Sequence, residues 1–544
     1  MPKLEWIGKD KVITHHLDVP YRVLNKKYGF PKDDNCQDNG NMVIHGDNLE
    51  ALKALLPRYE GGIHCIYIDP PYNTGNEKWV YNDNVNDPHI KKWLGEVVGA
   101  QGDDLSRDDK WLCMMYPRLK LLKQLLSDEG VIFISIDDNA QAMLKLLCDE
   151  IFGANNFIAN CIWQKKTGAA DARGIATITE YILCYCGNID NVDKVFRQNK
   201  EAFDIKRYRF TDGFEAERGP FYYDSLDRGS IRYSDSLNYC ITSPEGTPVF
   251  PNGRTEFVND GWTWKWSEEK VRWGLEHGFI SIVKNPKSPN GWSVKYKIYL
   301  NVDNEGNPVS KSVPYKNLIT DILNADAAEL MKQLFGTKVF DYSKPLQLIE
   351  HLLSIVNIPE NGVVLDSFAG SGTTGHAVLD KNQRDGTNIH FILVELCDYA
   401  ESVTAERIRR VITGFGSGNK GRQGTQGSFS FYELGEKLFN DDGELNSDID
   451  EEKVREYIFF TEARRPLTRK RAKGSYLLDT VNCTGYYFFY KPGELTTFGP
   501  DTLKIVSEKA DSYVVYADKC TLSEEYMLKN NIVFKKIPRD IKHF

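Results

Sequence analysis

The stretch GVVLDSFAGSGTTGHAVLDK, residues 362–381, decides how this chain is expected to fold. An apolar run ends at an aspartate, glycines follow at positions 370 and 372, and a helical pattern then begins. This order is typical of a buried strand, a tight glycine turn and a helix, in which the backbone can approach a ligand closely at the helix N-terminus. The residues of this turn that we expect to contact a ligand are Asp366, Phe368, Gly370, Ser371, Gly372 and Thr373.

The next predicted strand, IHFILVEL at residues 389–396, carries a second candidate for the same ligand. Glu395 lies near its end, and a carboxylate at a strand end can accept hydrogen bonds from both hydroxyls of a ribose. The two features together therefore predict a nucleoside-binding site. The alternative is an ordinary tight turn beside a surface glutamate.

A second stretch, IHCIYIDPPYNTG at residues 63–75, combines an apolar run with two consecutive prolines. Two consecutive prolines neither continue a helix nor pair inside a sheet, so the chain must leave a buried strand at this point. The pattern predicts a stiff, exposed turn that presents Asp69, the backbone of Pro70 and Pro71, and the ring of Tyr72.

Continuous apolar strands alternate with helices in two separated parts of the chain, which is typical of an α/β fold with a parallel, doubly wound sheet. Between them the alternation stops, and Tyr, Trp, Arg and Gly become frequent. The predicted organisation is a doubly wound domain in two segments, residues 1–187 and 339–435, with an inserted α+β domain at 188–338 and a small C-terminal α/β domain at 436–544.

The composition is that of an ordinary globular protein, with 41% hydrophobic and 27% charged residues among 544. The 11 cysteines show no C-x-x-C pair, so neither a disulfide framework nor a structural zinc site is expected. We found no leader-like start and no apolar run long enough to span a membrane, and we therefore expect a cytoplasmic protein.

The net charge of −9 argues against a general nucleic-acid coat protein but leaves room for a locally basic surface. Basic and aromatic residues interleave in KRYRF and GWTWKW, a combination that suits phosphate contact and stacking. Each basic cluster alone is better read as a solvated face, and the tryptophans equally fit the core of a small domain. The candidate DNA contacts are Lys166, Lys206, Arg207, Arg209, Trp264 and Lys265.

The two motifs together resemble those of amino-methyltransferases that act on DNA bases. DSFAGSGTT resembles their S-adenosylmethionine-binding motif, and DPPY at residues 69–72 resembles their catalytic motif. The catalytic motif comes first, then an insert, then the cofactor motif, which looks like the β class of adenine-N6 and cytosine-N4 DNA methyltransferases. The stretch DPPYNTGNEKWVYND is similar to the modification subunits of type III restriction–modification systems and their orphan relatives.

The resemblance implies a Rossmann-like S-adenosylmethionine-dependent fold with circularly permuted motifs and a target recognition domain in the insert. It adds Asp47, in MVIHGDNLEAL, and Lys344, in SKPLQLI, to the cofactor contacts. It also implies double-stranded DNA as substrate, a homodimer, and in some systems a restriction subunit as partner. No metal is expected.

The resemblance implies that Asp69 and the Pro70 carbonyl accept hydrogen bonds from the two N–H groups of the target amine and so localise its lone pair. Tyr72 would stack on the base after it leaves the duplex. The polar stretch 73–110 would be a lid or a DNA-contacting loop.

Several alternatives stay open. The first residue of the catalytic motif is Asp, which favours adenine N6 over cytosine N4. RNA or a protein amide are other possible acceptors, and an inactive DNA-binding subunit is a non-enzymatic alternative. The complete DPPY motif and glycine turn disfavour that last one.

Overall fold

The chain forms two compact units in a computed structural model. Unit 1 comprises Met1–Arg197 and Lys316–Phe544, and unit 2 comprises Gln198–Tyr315. The structure describes residues 3–31, 40–74, 106–168, 174–199, 204–229, 233–309, 312–416, 421–440 and 442–541. Most of the predicted lid, residues 75–105 of the stretch 73–110, lies outside the described residues.

The first segment of unit 1 alternates strands and helices. Its strands are β1 (Arg22–Phe30), β2 (Met42–His45), β3 (Ile63–Ile68), β4 (Leu126–Ile136), β5 (Phe157–Gln164) and β6 (Thr179–Cys186). Its helices are α1 (Lys9–Val12), α2 (His15–Asp18), α3 (Asn48–Tyr59), α4 (Arg107–Leu125), α5 (Gln141–Cys148) and α6 (Val192–Val195). The sequence predicts a helix up to Gly130, but α4 ends at Leu125, because the next residues already form β4 and Leu126 pairs with Ile63 of β3.

Unit 2 is built from short strands around an aromatic core. The strands are β7 (Phe221–Ser225), β8 (Asp227–Gly229), β9 (Ile241–Thr242), β10 (Pro248–Val249), β11 (Trp262–Trp264), β12 (Ile280–Lys284) and β13 (Trp292–Tyr299), and the helices are α7 (Glu215–Arg218) and α8 (Glu268–Glu276). Strands β12, β13 and β7 form an antiparallel sheet. Buried Trp264, Trp266 and Trp292 belong to this core.

The rest of the chain returns to unit 1. Its strands are β14 (Leu318–Ile319), β15 (Val363–Asp366), β16 (His390–Glu395), β17 (Gly414–Phe415), β18 (Arg422–Gln423), β19 (Phe429–Lys437), β20 (Leu477–Val481), β21 (Thr484–Phe488), β22 (Thr497–Phe498), β23 (Ser512–Ala517), β24 (Lys519–Cys520) and β25 (Ile532–Lys536). Its helices are α9 (Asn324–Phe335), α10 (Leu346–Ile355), α11 (Thr373–Asp385), α12 (Glu406–Thr413), α13 (Glu451–Ala463) and α14 (Glu524–Lys529).

The predicted insert, 188–338, is wider than the observed unit 2. Residues 188–197 and 316–338 belong to unit 1. The apolar side of α9 explains the second difference, since Leu330, Met331 and Leu334 are buried. The predicted C-terminal domain, 436–544, also falls within unit 1. Its helix α13 buries Tyr457 and Ile458 in the same core as Leu55 of α3.

A ten-stranded sheet organises unit 1, in the order β1-β19-β2-β16-β15-β3-β4-β6-β5-β14. The six strands from β19 to β4 are parallel, as the alternation of strands and helices predicts. The sheet as a whole is mixed, because β6 runs antiparallel to both β4 and β5, and β1 runs antiparallel to β19. The pairing of β3 with β15 puts the ends of two strands that are distant in sequence side by side.

Two further properties concern the described residues only. No helix there combines the length and apolar character that crossing a membrane would require. Nor do these residues contain a group of three or more His, Cys, Asp or Glu side chains arranged to hold a metal ion.

Candidate active site

Asp69 and Asp366 lie at the carboxyl ends of neighbouring parallel strands, β3 and β15. Ligands of open α/β sheets bind at this edge. Both aspartates are buried, with relative exposures of 9% and 3%. The two motifs predicted from the sequence therefore meet at one place, although the predicted exposed position of Asp69 and Tyr72 is wrong, since Tyr72 is also only 8% exposed.

Lys344 connects the catalytic motif to a buried glutamate that the sequence analysis missed. Its Nζ lies 3.3 Å from Asp69 Oδ1 and 3.0 Å from Glu180 Oε2. It also donates to the Tyr72 hydroxyl at 2.6 Å and sits 4.8 Å from the centre of the Tyr72 ring. In this structure the ammonium therefore contacts Asp69, Glu180 and Tyr72. The predicted contact of Lys344 with the cofactor stays a prediction.

Glu180, near the start of β6, holds two lysines at once. Its other oxygen, Oε1, pairs with Lys165 Nζ at 2.8 Å. The Tyr72 hydroxyl lies 2.8 Å from Asp69 Oδ1 and 3.1 Å from Glu180 Oε2, and it can donate its one proton to either. Two carboxylates and two ammonium groups thus form a charge-balanced network around the hydroxyl of Tyr72.

The pKa values in this network follow from burial and from the paired charges. Burial raises the pKa of Asp69, and the nearby Lys344 cation opposes but does not cancel this effect. Burial would also raise the pKa of Glu180, but Lys344 and Lys165 together lower it below its ordinary value. Burial disfavours the charged form of Lys344, yet the two carboxylates raise its pKa. Lys344 is therefore a firmly protonated cation beside an aspartate that protonates more readily than usual.

The proline turn after Asp69 is held by a buried tryptophan. Trp111 of α4 is fully buried and donates from Nε1 to the carbonyl oxygen of Pro71 at 2.6 Å. Asn73 follows with a positive φ of 61°. The acceptor role of the Pro70 carbonyl stays a prediction, but Trp111 gives the rigid turn a second support besides its prolines.

Trp111→Phe is expected to lower the free energy of unfolding by about 1–3 kcal/mol, because the buried Pro71 carbonyl loses its donor. Thermal unfolding with methyl transfer measured on the same samples checks this. Tyr487→Phe is the matched control, since Tyr487 is also fully buried and accepts from Glu508 N at 3.1 Å in the C-terminal part. The control should lose stability and keep full transfer, whereas Trp111→Phe should lose transfer as well. An equal loss of transfer in both variants would contradict the local role of Trp111.

The glycine turn between β15 and α11 depends on two left-handed backbone conformations. Gly370 has φ 52° and Gly372 has φ 79°. A Cβ on Gly372 would lie 3.1 Å from the carbonyl oxygen of Thr404, so a side chain is disfavoured there for two reasons. Gly375 completes a G-x-G-x-x-G spacing that the sequence analysis overlooked, and its Cβ position would meet Leu393 and Ile408 at under 3 Å.

Asp366 stabilises this turn through two hydrogen bonds. Its Oδ1 accepts from Phe368 N at 3.0 Å, and its Oδ2 accepts from the Thr374 hydroxyl at 2.5 Å. Burial raises the pKa of Asp366 to about 7. The predicted contact of Asp366 with a ligand stays open, and its observed role is to fix the shape of the turn.

Glu395 and Asp47 have structural partners at positions where the sequence predicts ligand contacts. Glu395 is 1% exposed, and its oxygens accept from the backbone N–H groups of Gly370 at 2.8 Å and Cys397 at 2.9 Å. It is therefore not a surface glutamate. Asp47 caps α3 and lies 3.3 Å from Nη2 of Arg118, which is buried. Both carboxylates shape the edge of the sheet, and their predicted cofactor contacts remain predictions.

Two recesses lie on either side of Lys344. A narrow cleft runs from Asp69 along the glycine turn, lined among others by Asp366, Phe368, Ser371 and Thr373. A cavity of about 390 Å³ opens on the other side. The cavity is lined by Tyr72, Thr74, Asp137, Lys165, Glu180, Asn324, Ala327, Ala328, Met331, Phe340, Asp341, Tyr342, Ser343 and Lys344. Phe340, Tyr342, Ser343 and Lys344 line both recesses, whereas Asp69 lines the cleft only.

The predicted DNA contacts divide into exposed and buried residues. Trp264 is 1% exposed and donates from Nε1 to Tyr239 O at 2.8 Å, so the prediction that it contacts DNA is wrong in this conformation and its aromatic-core alternative is correct. Lys265 pairs with Asp224 at 2.8 Å. The contacts predicted at exposed positions are Lys166, Lys206, Arg207 and Arg209.

Residues 63–406 match the family model of N6/N4 methyltransferases, described as DNA methylase. Because this match covers more than half of the chain, the protein belongs to that family of DNA methylases. Membership of this family confirms S-adenosylmethionine as the cofactor predicted from the sequence. The family includes enzymes that act on adenine N6 and on cytosine N4, so it leaves the target base open.

Three known proteins illustrate what the chain is similar to. The chain is 31% identical over 402 residues to the Mod subunit of the type III restriction–modification enzyme StyLTI of Salmonella typhimurium, covering 72% of this chain and 58% of that subunit. It is 31% identical over 375 residues to the type II methyltransferase M.KpnI of Klebsiella pneumoniae, covering 65% of this chain and 80% of M.KpnI. A solved complex of M1.HpyAVI with S-adenosylmethionine shows 15% identity and a TM-score of 0.28, covering 67% of this chain and 99% of that one. The chain thus spans about six tenths of the length of the StyLTI Mod subunit.

Proposed function

We propose that this protein transfers a methyl group from S-adenosylmethionine to the N6 amine of adenine in a short sequence of duplex DNA. The observation that carries the proposal is the convergence of Asp69 and the glycine turn at the ends of β3 and β15. The cleft along the glycine turn, which Asp69 lines, would hold the methyl donor, and Lys344 lines both this cleft and the cavity that would take the acceptor base.

Asp69 would act on the acceptor amine by accepting a hydrogen bond from one of its N–H groups. An amine attached to an aromatic ring is a poor nucleophile, because its lone pair is delocalised into the ring. Hydrogen bonding to preorganised acceptors localises that lone pair and stabilises the positive charge that develops on nitrogen during transfer. Asp69 stabilises this charge best when it is ionised, and Lys344 favours that state against the effect of burial.

The cavity beside Tyr72 is suited to a base outside the duplex. Its volume of about 390 Å³ lies in the range of small-molecule sites. An exocyclic amine is not reachable in line with a methyl donor while the base is stacked in a helix, so the enzyme must flip it out. We propose that Tyr72 packs against the flipped base and that the polar groups of Glu180 and Asp137 contact its edge.

Lys344 must change partners when the amine arrives. In this structure its ammonium lies 3.3 Å from the Asp69 oxygen that the substrate would use. Glu180 offers the same ammonium an alternative partner at 3.0 Å. The geometry supports a step in which Lys344 moves its hydrogen bonding towards Glu180 while Asp69 accepts from the amine.

The role of unit 2, the order of the motifs, the oligomeric state and the location of the enzyme also belong to this proposal. We propose that unit 2 recognises the target sequence, that the order of the motifs is a circular permutation of the methyltransferase fold, and that the enzyme acts as a homodimer in the bacterial cytoplasm. Exposed Lys206, Arg207 and Arg209 of unit 2 would contact phosphates. The Mod relatives support a restriction subunit as a further partner.

Incubation of the purified protein with methyl-labelled S-adenosylmethionine and unmethylated duplex DNA of mixed sequence tests the activity. We expect label in the DNA, and none when RNA or protein is offered instead. Absence of label in DNA at enzyme concentrations equal to those of the sites would contradict the proposal. It would favour the alternative of a DNA-binding subunit without activity.

A further inference from the structure

Arg407 of α12 is a buried cation that the proposed methyl transfer does not use. Its side chain is 1% exposed. Within the described residues its guanidinium has no carboxylate in ion-pair distance, and Asp380, whose charge favours the cation, pairs with Arg422 at 3.6 Å instead. An unpaired buried charge is costly, and such a group is commonly balanced by a ligand or a hydrogen-bond network. Burial lowers the pKa of Arg407 to about 9, so it remains a cation at neutral pH.

The guanidinium points at hydroxyl groups of the glycine turn. Its Nη1 donates to Thr373 Oγ1 at 2.8 Å, to Ser371 Oγ at 3.0 Å and, more weakly, to Ser343 Oγ at 3.3 Å. On its other side, Nε donates to Nδ1 of His376 at 3.3 Å. Burial lowers the pKa of His376 to about 4, so this neighbour is neutral at neutral pH and adds no second positive charge.

These hydrogen bonds orient hydroxyl groups that line the cleft. Arginine has only donors, and the two N–H groups of Nη1 suit the two nearest hydroxyls, those of Thr373 and Ser371, which accept from it. The protons of Ser371 and Thr373 are then directed elsewhere, and the Ser343 and Ser371 oxygens lie 2.8 Å apart. All three hydroxyls line the cleft, so the buried cation of Arg407 is hydrogen-bonded to polar groups of its wall.

We propose that Arg407 is the countercharge for the carboxylate of the methionyl part of S-adenosylmethionine, and that it acts through the hydroxyls of Ser343, Ser371 and Thr373. The inference rests on the proposed function only for the identity of the ligand. The carboxylate is the one anionic group of this cofactor. Lys344, the other cation of the cleft, is already engaged by Asp69 and Glu180. The start of α11 at Thr373 adds the positive end of a helix dipole at the same place.

Two ligands that differ in the amino-acid part separate this role from a merely structural one. S-adenosylhomocysteine carries the carboxylate, and 5′-methylthioadenosine lacks the whole amino-acid end. Calorimetric titration of the full-length protein without DNA measures both. We expect Arg407→Met to weaken S-adenosylhomocysteine about tenfold to a hundredfold, the range of a hydrogen bond to a charged group, and to change 5′-methylthioadenosine less than about twofold. Arg407→Lys should restore most of the lost affinity.

Arg455→Met is the matched control. Arg455 is also 1% exposed, lies in α13 and donates to the carbonyl of Leu477. It should leave both affinities unchanged. If Arg407→Met is too unstable for titration, Thr373→Val combined with Ser371→Ala must give the same selective loss. Equal weakening of both ligands, or of neither, would overturn the inference. Failure of the wild type to bind S-adenosylhomocysteine would instead contradict the cofactor itself.

Discussion

Asp69→Ala is expected to lower the rate of methyl transfer to DNA about a thousandfold, the scale seen when a preorganised hydrogen-bonding group is removed from a transition state. The carboxylate lies at the carboxyl end of β3, lines the cleft along the glycine turn and accepts from the hydroxyl of Tyr72, which lines the cavity, at 2.8 Å. Its removal leaves the amine of the target base without its charged acceptor. Because Asp69 is not part of the glycine turn, the affinity for S-adenosylhomocysteine should change little. Single-turnover transfer and ligand titration measure the two effects separately.

Asp149→Ala provides a closely matched control for this variant. Asp149 accepts from Lys145 at 2.7 Å and from the Tyr185 hydroxyl at 2.8 Å, a lysine and a tyrosine like the partners of Asp69. It lies outside the proposed catalytic machinery. The control should lose stability and keep its transfer rate once folded. Transfer by Asp69→Ala at the rate of the control would contradict the role of Asp69.

Lys344→Met should make methyl transfer strongly dependent on pH. Burial raises the pKa of Asp69, and the Lys344 cation is the main group that lowers it again. Without this cation the pKa of Asp69 rises further, so at any given pH a smaller fraction of the enzyme carries the charged acceptor that stabilises the developing positive charge. Activity should be lost as the pH falls through the new pKa. An opposite charge at this distance typically accounts for about one to three pH units.

The expected result is therefore a shift of the acid limb of the pH–rate profile to higher pH, with partial recovery of transfer in alkaline buffer. Lys381→Met is the control, because Lys381 is likewise buried and pairs with Asp385 at 2.6 Å on α11. Its pH profile should match that of the wild type. A profile for Lys344→Met that is lower at all pH values but unshifted would show that Lys344 acts on something other than the ionisation of Asp69.

The sequence predicts the parts of the site that depend on local pattern. A strand that ends in two prolines and a strand that ends in a glycine turn both leave clear signals, and their ends are indeed adjacent. The strands and helices around them follow from continuous apolar runs and periodic ones. The mixed character of the sheet does not, because an apolar strand such as β6 has the same pattern whether it pairs parallel or antiparallel.

The residues that the sequence analysis missed act through contacts with distant parts of the chain. Glu180 opens an apolar strand, and only the folded chain shows that it joins Lys165 to Lys344. Arg407 lies in a helix that is rich in charge, where an arginine is ordinarily exposed. A charged residue at the edge of a buried strand is the one signal that could have indicated Glu180. Trp264 was predicted to contact DNA and is instead buried in a domain core. An aromatic residue beside a lysine fits both positions equally well.

The identity of the methylated nucleoside tests the central proposal most directly. Duplex DNA of mixed sequence is incubated with the wild-type protein and S-adenosylmethionine, digested to nucleosides and analysed by mass spectrometry. We predict N6-methyladenine as the product, confined to one short sequence context when the same DNA is sequenced for modified bases. N4-methylcytosine in its place, or DNA that carries no methylated base, would contradict the account.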